Sequence, residues 1–203
     1  MNRPIAAILI ACLLLFTACS GMSQEKKAAG EGATIGAAVG ALIGQVFGKD
    51  TESTVTGAVI GAAIGGAIGY GLAAHLNREK AKLEGRENDL DARIEYAQAV
   101  NDETSHYNQK LIADLEKIED EVAAGRLKKA QLAQINEKVM NDKARLDSEL
   151  AELQAFRRSL SAENTSTSKV SKLDLQIRTL EEQLAGLETN IEKLAGISQR
   201  VKV

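Results

Sequence analysis

Two hydrophobic periods divide the chain, and the first is a repeat of four. Between residues 32 and 73 glycine recurs at every fourth position, in one series before a polar turn and in a second series after it. The series are Gly32, Gly36, Gly40, Gly44 and Gly48, then Gly57, Gly61, Gly65 and Gly69. Residues four apart lie on one face of an α-helix. The pattern predicts a hairpin of two helices that pack closely through faces of bare backbone.

The second period, of seven, begins after the glycine repeat and predicts a coiled coil. Its first frame comprises Leu76, Leu83, Leu90, Ile94, Ala97, Leu111, Leu115, Ile118 and Val122. Gly69 and Ala73 fall on the same frame. We therefore expect the second glycine helix to continue without a break into the first arm of the coiled coil.

Polar residues interrupt this seam at two places. Asn101, Thr104 and Asn108 occupy the middle of the first arm. Buried asparagines of this kind fix the register of a coiled coil, whereas exposed ones make a wetter and weaker stretch. The pattern leaves both interpretations open. Farther along, Asp142 and Lys143 fall on the expected seam of the second arm, which predicts a local loosening.

Gly125 separates the first arm from the second, because glycine just past a periodic segment stops a helix. The second arm carries Leu132, Ile135, Val139, Leu146, Leu150, Leu153 and Leu160. The two arms form an antiparallel pair around Gly125 or one kinked helix. A polar linker follows over residues 161–168, and then the most regular heptad of the chain. It comprises Val170, Leu173, Ile177, Leu180, Leu184, Leu187, Ile191 and Leu194. This C-terminal helix must bury its stripe against the arms or a partner chain, and we expect Gly196 to end it.

The chain start has the features of a secretory signal: Arg3, then an apolar run over residues 5–16 that is too short to span a membrane. The run ends Phe16-Thr17-Ala18-Cys19, which resembles a bacterial lipobox, in which the cysteine is lipidated and becomes the mature N-terminus. An ordinary signal peptide with an incidental cysteine is the alternative. By resemblance to lipoproteins, Ser20 after the cysteine implies sorting to the outer membrane.

The glycine segment and its polar turn resemble the glycine-zipper two-transmembrane module of bacterial surface lipoproteins, over residues 19–76. It is also similar to the N-terminal module of lipoproteins that carry a peptidoglycan-binding domain. Residues 55–74 contain no charge and are long enough to cross a bilayer. Tyr70 and His75, near the end of this run, suit a membrane interface. A Gly/Ala hairpin packed on the coiled coil in water, or a disordered segment, remains open as an alternative.

Composition excludes several functions. The 203 residues include no Trp, three Phe and three Tyr, and the net charge is −3, so neither a large aromatic core nor a basic surface for nucleic acid is expected. Carboxylates are spread along the helical faces, and no set of residues has the spacing of a catalytic or metal site. We predict no enzymatic activity, no cofactor and no small-molecule substrate.

The sequence thus predicts an all-α protein in which a glycine-zipper hairpin precedes long coiled-coil helices. Its predicted parts are a signal peptide (1–18), a tether (19–31), the hairpin (32–75), two arms (76–124 and 128–163) and a C-terminal helix (169–196). The first functional hypothesis is a lipid-anchored envelope spacer or scaffold that contacts membrane lipid and self-associates. The second is an adaptor that recruits another coiled-coil envelope protein. A pore-forming oligomer ranks third, because the hairpin offers few polar residues for a pore.

Overall fold

The computed structural model describes residues 65–68, 70–160 and 167–201. Five α-helices form the regular structure of these ranges: α1 (Gly65–Ile68), α2 (Leu72–Ala81), α3 (Leu90–Ala123), α4 (Lys129–Ser159) and α5 (Thr167–Arg200). The all-α fold predicted from the sequence is confirmed. Most of the predicted glycine-zipper hairpin lies outside the described residues.

The chain turns back between α2 and α3, so the prediction of one unbroken helix through this region is wrong. Helix α2 ends at Ala81, and α3 begins only at Leu90, after a turn over residues 82–89. The Asp89 carboxylate accepts hydrogen bonds from the N–H groups of Asp91 (2.8 Å) and Ala92 (3.3 Å). These bonds lower the pKa of Asp89. A side-chain cap of this kind starts a new helix.

A second turn at Gly125 separates α3 from α4. The two helices run antiparallel, as in the first of the two predicted arrangements, and do not form one kinked helix. Gly125 has φ +68°, a left-handed conformation that glycine adopts without steric cost. Its N–H donates to the Val122 carbonyl (3.0 Å), and the Arg126 N–H donates to the Glu121 carbonyl (2.9 Å). This pair of bonds is a Schellman motif, which satisfies the last carbonyls of α3.

Helix α5 lies along both arms, parallel to α3 and antiparallel to α4. Lys169 near its start bonds to Asp91 near the start of α3, whereas Arg200 at its end bonds to Glu119 near the end of α3. The leucine stripe of α5 is buried against these two helices, so the chain itself supplies the partner that the stripe requires. Gly196 lies inside α5, and the prediction that it ends the helix is wrong.

The five helices form a bundle of four rods, since α1 and α2 together make the first rod. This rod packs mainly on α3 and also touches α4, whereas α3 and α4 contact each other directly at few points. The apolar side chains with 0% exposure come from every helix: Ala67, Leu72, Leu76, Ala97, Val100, Leu111, Ile118, Leu132, Val139, Leu146, Leu153, Leu173, Leu180, Leu187 and Leu194. One continuous core therefore joins the end of the glycine zipper to the coiled-coil helices.

Candidate functional site at the end of the glycine zipper

Few of the predicted site residues fall within the described part of the chain. Cys19 lies outside it, together with Gly32, Gly36, Gly40, Gly44, Gly48, Gly57, Gly61 and Gly69. Gly65 is the first residue of α1. The described residues at the end of the zipper are thus 65–68 and 70–74, and their contacts with the bundle define the site.

Asp114 of α3 holds the backbone of α1. Its carboxylate accepts hydrogen bonds from the N–H groups of Gly66 (3.1 Å) and Ala67 (2.7 Å), and the residue is 1% exposed. A Cβ atom on Gly66 would lie 2.7 Å from Asp114 Oδ1, closer than real Cβ atoms approach an oxygen. A Cβ at position 66 would therefore displace the Asp114 carboxylate from its present place. Gly66 lies outside the in-phase series that the sequence pattern singled out.

Glu103 of α3 holds the junction between α1 and α2. Its carboxylate accepts a hydrogen bond from the Tyr70 hydroxyl, and its Oε1 lies 3.2 Å from His75 Nδ1. The Tyr70 and His75 rings stack with centroids 4.7 Å apart, and the Lys110 ammonium lies 5.1 Å from the centroid of the Tyr70 ring. Burial, and then the Glu103 carboxylate, raise the pKa of Tyr70. The two rings predicted at a membrane interface have a protein partner here.

Glu149 of α4 forms a third polar contact beside α2. It accepts a hydrogen bond from the Tyr96 hydroxyl (2.6 Å), and its Oε2 lies 3.5 Å from Lys80 Nζ, which also bonds to Glu152 (2.6 Å). Glu149 is 4% exposed, so its charge is removed from water and balanced by these donors. Burial, and then Glu149, raise the pKa of Tyr96.

Asp142, also on α4, accounts for the frame slip seen in the sequence. It is 6% exposed, and it accepts a hydrogen bond from Lys138 (2.6 Å) one turn earlier. Burial raises the pKa of Tyr107, and the nearby carboxylates of Asp142 and Asp114 raise it further. Helix α4 is unbroken through this position. The slip thus marks a buried, paired carboxylate, and the predicted loosening has no counterpart in the helix.

Apolar anchors surround these polar contacts. Ala67, Leu72 and Leu76 are fully buried, and Leu83 is 4% exposed. Removing a leucine side chain of this kind from water stabilises the packed state by roughly 1.5–3 kcal/mol. The end of the zipper is therefore an integral rod of the bundle as well as the last part of the glycine repeat.

The polar residues of this site form two stripes at heptad spacing, which we call the carboxylate stripes. One lies on α3 and the other on α4. The α3 stripe comprises Tyr96, Glu103, Tyr107, Lys110 and Asp114; the α4 stripe comprises Lys138, Asp142, Arg145, Glu149 and Glu152. Sequence reasoning missed both stripes, because charged side chains are expected at the surface. Their regular spacing was the signal that could have found them.

One family model matches about the first third of the chain. Residues 1–74 match the family described as YMGG-like Gly-zipper, which confirms the glycine-zipper resemblance and indicates a membrane-associated protein. Comparison with curated proteins gave no match, and neither did comparison with solved structures. In the described ranges, no helix has both the length and the apolar character needed to cross a bilayer.

Proposed function

We propose that the protein is a lipid-anchored structural protein of the bacterial outer membrane. In this proposal Cys19 carries the acyl chains, the glycine zipper packs in or on the membrane, and the helical bundle extends into the periplasm as a spacer or scaffold. The observation that carries the proposal is the burial of Ala67, Leu72 and Leu76 between the zipper and the bundle. A body joined to its membrane segment by a shared core transmits position, as a spacer must.

The dimensions of the bundle set the reach of such a spacer. Helices α3 and α5 each have 34 residues, which corresponds to about 50 Å at the usual rise of an α-helix. Because the chain folds back at residues 82–89 and at Gly125, this length is shared by parallel rods and is not added end to end. The proposed spacer is therefore short and thick, with four rods over part of its length.

The adaptor hypothesis is less well supported. Its natural recruitment surface was the leucine stripe of α5, the most regular heptad of the chain. That stripe is buried against α3 and α4 within the same chain, with Leu173, Leu180 and Leu187 at 0% exposure. Self-association or recruitment of another coiled-coil envelope protein would have to use the outer faces of the bundle, so we favour the spacer.

The anchor is tested by labelling and fractionation of cells that express the wild-type chain, Cys19→Ser or Cys12→Ser. Cys12→Ser is the matched control, because Cys12 lies in the apolar run that signal cleavage would remove. A further form carries Cys19→Ser behind a signal peptide that is cleaved without lipidation. This form removes the acyl chains and the apolar run together.

We expect radiolabelled palmitate to enter the wild type and Cys12→Ser and to be absent from Cys19→Ser. An alkaline carbonate wash should then release the cleaved Cys19→Ser form from outer-membrane fractions. The wild type and Cys12→Ser should stay with the membrane. Retention of the cleaved form at the wild-type level would contradict the anchor and would assign membrane attachment to the zipper alone.

A further inference from the structure

The docked end of the zipper belongs to an uncharged run that would be needed in full to cross a membrane and that also packs on the bundle. The uncharged run over residues 55–74 is long enough to cross a bilayer core of about 30 Å only if all of it is used. In the structure, the bundle holds this run from Gly66 onward. Residues 55–65 alone correspond to about 16 Å of helix, roughly half of the required length.

We propose that Asp114 and Glu103 form a latch that holds the end of the zipper on the bundle. The latched state and a membrane-crossing state of residues 55–74 exclude each other. This inference rests on the membrane role of the zipper in the proposed function, but it does not depend on the lipid anchor at Cys19.

Backbone hydrogen bonding makes the two states exclusive. In a continuous α-helix the N–H groups of Gly66 and Ala67 donate to the carbonyls four residues earlier. In the latched state both groups donate to the Asp114 carboxylate at 3.1 and 2.7 Å. A helix in lipid must satisfy every backbone group internally. Asp114 belongs to α3 and would stay with the bundle, so crossing of the membrane by residues 66 and 67 requires release of its carboxylate.

The polar contacts determine which state is populated. Ala67 and Leu72 are removed from water in the bundle and would also be removed from water in lipid, so their burial discriminates little between the states. The bonds from Asp114 and from Glu103 to Tyr70 and His75 exist only when the segment is docked. A conformational equilibrium follows the contacts that differ between its states, and here those contacts are two carboxylates of α3.

Two substitutions release the latch from opposite sides, and each has a matched control. Asp114→Asn replaces one of the two acceptor oxygens with a donor, whereas Asp102→Asn makes the same change at an exposed position of α3. Gly66→Ala places a Cβ 2.7 Å from Asp114 Oδ1, which forces the carboxylate away. Gly186→Ala adds a Cβ to a helical glycine of α5 that has no atom within 4 Å of it.

A single tryptophan reports contact with lipid, because the chain has no Trp of its own. Ala74→Trp places it at the end of the uncharged run, on a residue that is exposed in the docked state. The chain from Ser20 onward is mixed with vesicles of phosphatidylethanolamine and phosphatidylglycerol whose acyl chains are brominated near the headgroups. Bromine quenches tryptophan fluorescence on contact, and circular dichroism verifies that each variant keeps its helices.

We expect weak quenching for the latched chain, Asp102→Asn and Gly186→Ala. Asp114→Asn and Gly66→Ala should each raise the ratio of lipid-bound to docked segment about tenfold, since hydrogen bonds to a charged group are lost. Equally strong quenching in all five chains would overturn the latch and leave the membrane role intact. If no chain is quenched although the Gly66 and Ala67 amides of the two release variants exchange rapidly with deuterium, both the latch and the membrane role of the zipper are wrong.

Discussion

Helices α3 and α4 face two different partners, and the comparison of these two sides explains the design of the bundle. On the heptad side, α5 packs against α3 and α4 through leucine and isoleucine. On the carboxylate side, α1 and α2 pack against the same two helices beside the carboxylate stripes. Both sides follow the spacing of seven, but only the heptad side is mainly apolar. The period therefore determines which residues share a face, and the residue type determines what that face can bind.

The heptad side is the permanent part of the fold. Leu173, Leu180, Leu187 and Leu194 are spaced by seven, and each is fully buried. Asn101 donates to the Gln176 carbonyl and side chain, and Asn108 donates to the Gln183 carbonyl seven residues later on both helices. These two polar layers repeat with the heptad, so they fix the register of α5 on α3.

The carboxylate side is conditional, because its stability depends on intact pairs between charged groups and their hydrogen-bond donors. Asp114, Asp142 and Glu149 are each less than 7% exposed, and each has hydrogen-bond donors within reach. Buried charges contribute little net stability when paired and are strongly destabilising when one partner is removed. A face of this kind suits a segment that must also leave, whereas a leucine face suits one that stays.

The largest expected effect is the loss of stability caused by a cavity on the heptad side. Leu180→Ala removes a fully buried side chain from the centre of α5, and we expect it to lower the free energy of unfolding by about 2–5 kcal/mol. Leu175→Ala, on the same helix but 56% exposed, should change it by less than about 0.5 kcal/mol. Urea denaturation followed by circular dichroism measures both. Equal effects would show that the leucine stripe does not hold the bundle together.

Alkaline pH should destabilise the carboxylate side. The pKa values of Tyr96 and Tyr107 are raised by burial and by neighbouring carboxylates, whereas an unfolded tyrosine titrates near about 10. Above that pH the unfolded chain releases protons that the folded chain retains, so stability falls as the pH rises. Between about pH 8 and about pH 11 we expect a loss of about 2–3 kcal/mol from these two residues.

The matched variants isolate the tyrosines from other groups that titrate in the same range. Tyr96→Phe should reduce the pH-dependent loss by about 1.4 kcal/mol, and Tyr96→Phe with Tyr107→Phe should remove about twice as much. The quantity compared is the difference in unfolding free energy between the two pH values for each chain. Burial and Glu103 also raise the pKa of Tyr70, so a smaller loss remains in the double variant. A loss of the full wild-type size in that variant would contradict the role of Tyr96 and Tyr107. The carbonate wash of the fractionation experiment is alkaline, so it should also lower the stability of the carboxylate side.

The heptad side could be predicted from the sequence, and the carboxylate side could not. The stripe from Leu173 to Leu187 has one dominant period and one residue class, so its burial followed directly from the pattern. One turn later the structure buries Asn190, and the predicted Ile191 is only partly buried. The stripe from Tyr96 to Asp114 has the same spacing, but its charges indicated a solvated face. Pairing with donors on a neighbouring rod reverses that expectation, and a pattern within one helix contains no information about the next rod.

The two helix ends that were predicted wrongly have opposite physical causes. Leu76, Leu83 and Leu90 are seven apart, so the frame continued through a turn that Gly85 and the N-cap Asp89 mark in the sequence. At Gly196 the opposite happened, because a single glycine suggested an end although Ile197 continues the buried stripe of α5. The local turn signals decided the first case against the heptad period, and tertiary packing decided the second case against the local preference.

The finest distinction between the two sides concerns their polar contacts, and a double-mutant cycle measures it. Asn101 Nδ2 lies 2.8 Å from Gln176 Oε1 and 2.9 Å from the Gln176 carbonyl. The cycle combines Asn101→Ala with Gln176→Ala. The Gln176 carbonyl remains in both chains, so the cycle measures only the bond between the two side chains, and we expect a coupling energy of about 0.5–1 kcal/mol.

The control cycle combines Asn101→Ala with Gln183→Ala, one heptad away. It should show no coupling energy, because Gln183 bonds to Asn108 and not to Asn101. A neutral pair of this size fixes register without adding much stability, whereas the carboxylate side contains tyrosines whose raised pKa values make it respond to alkaline pH. Coupling of equal size in both cycles would mean that the polar layers act together and do not fix the register layer by layer.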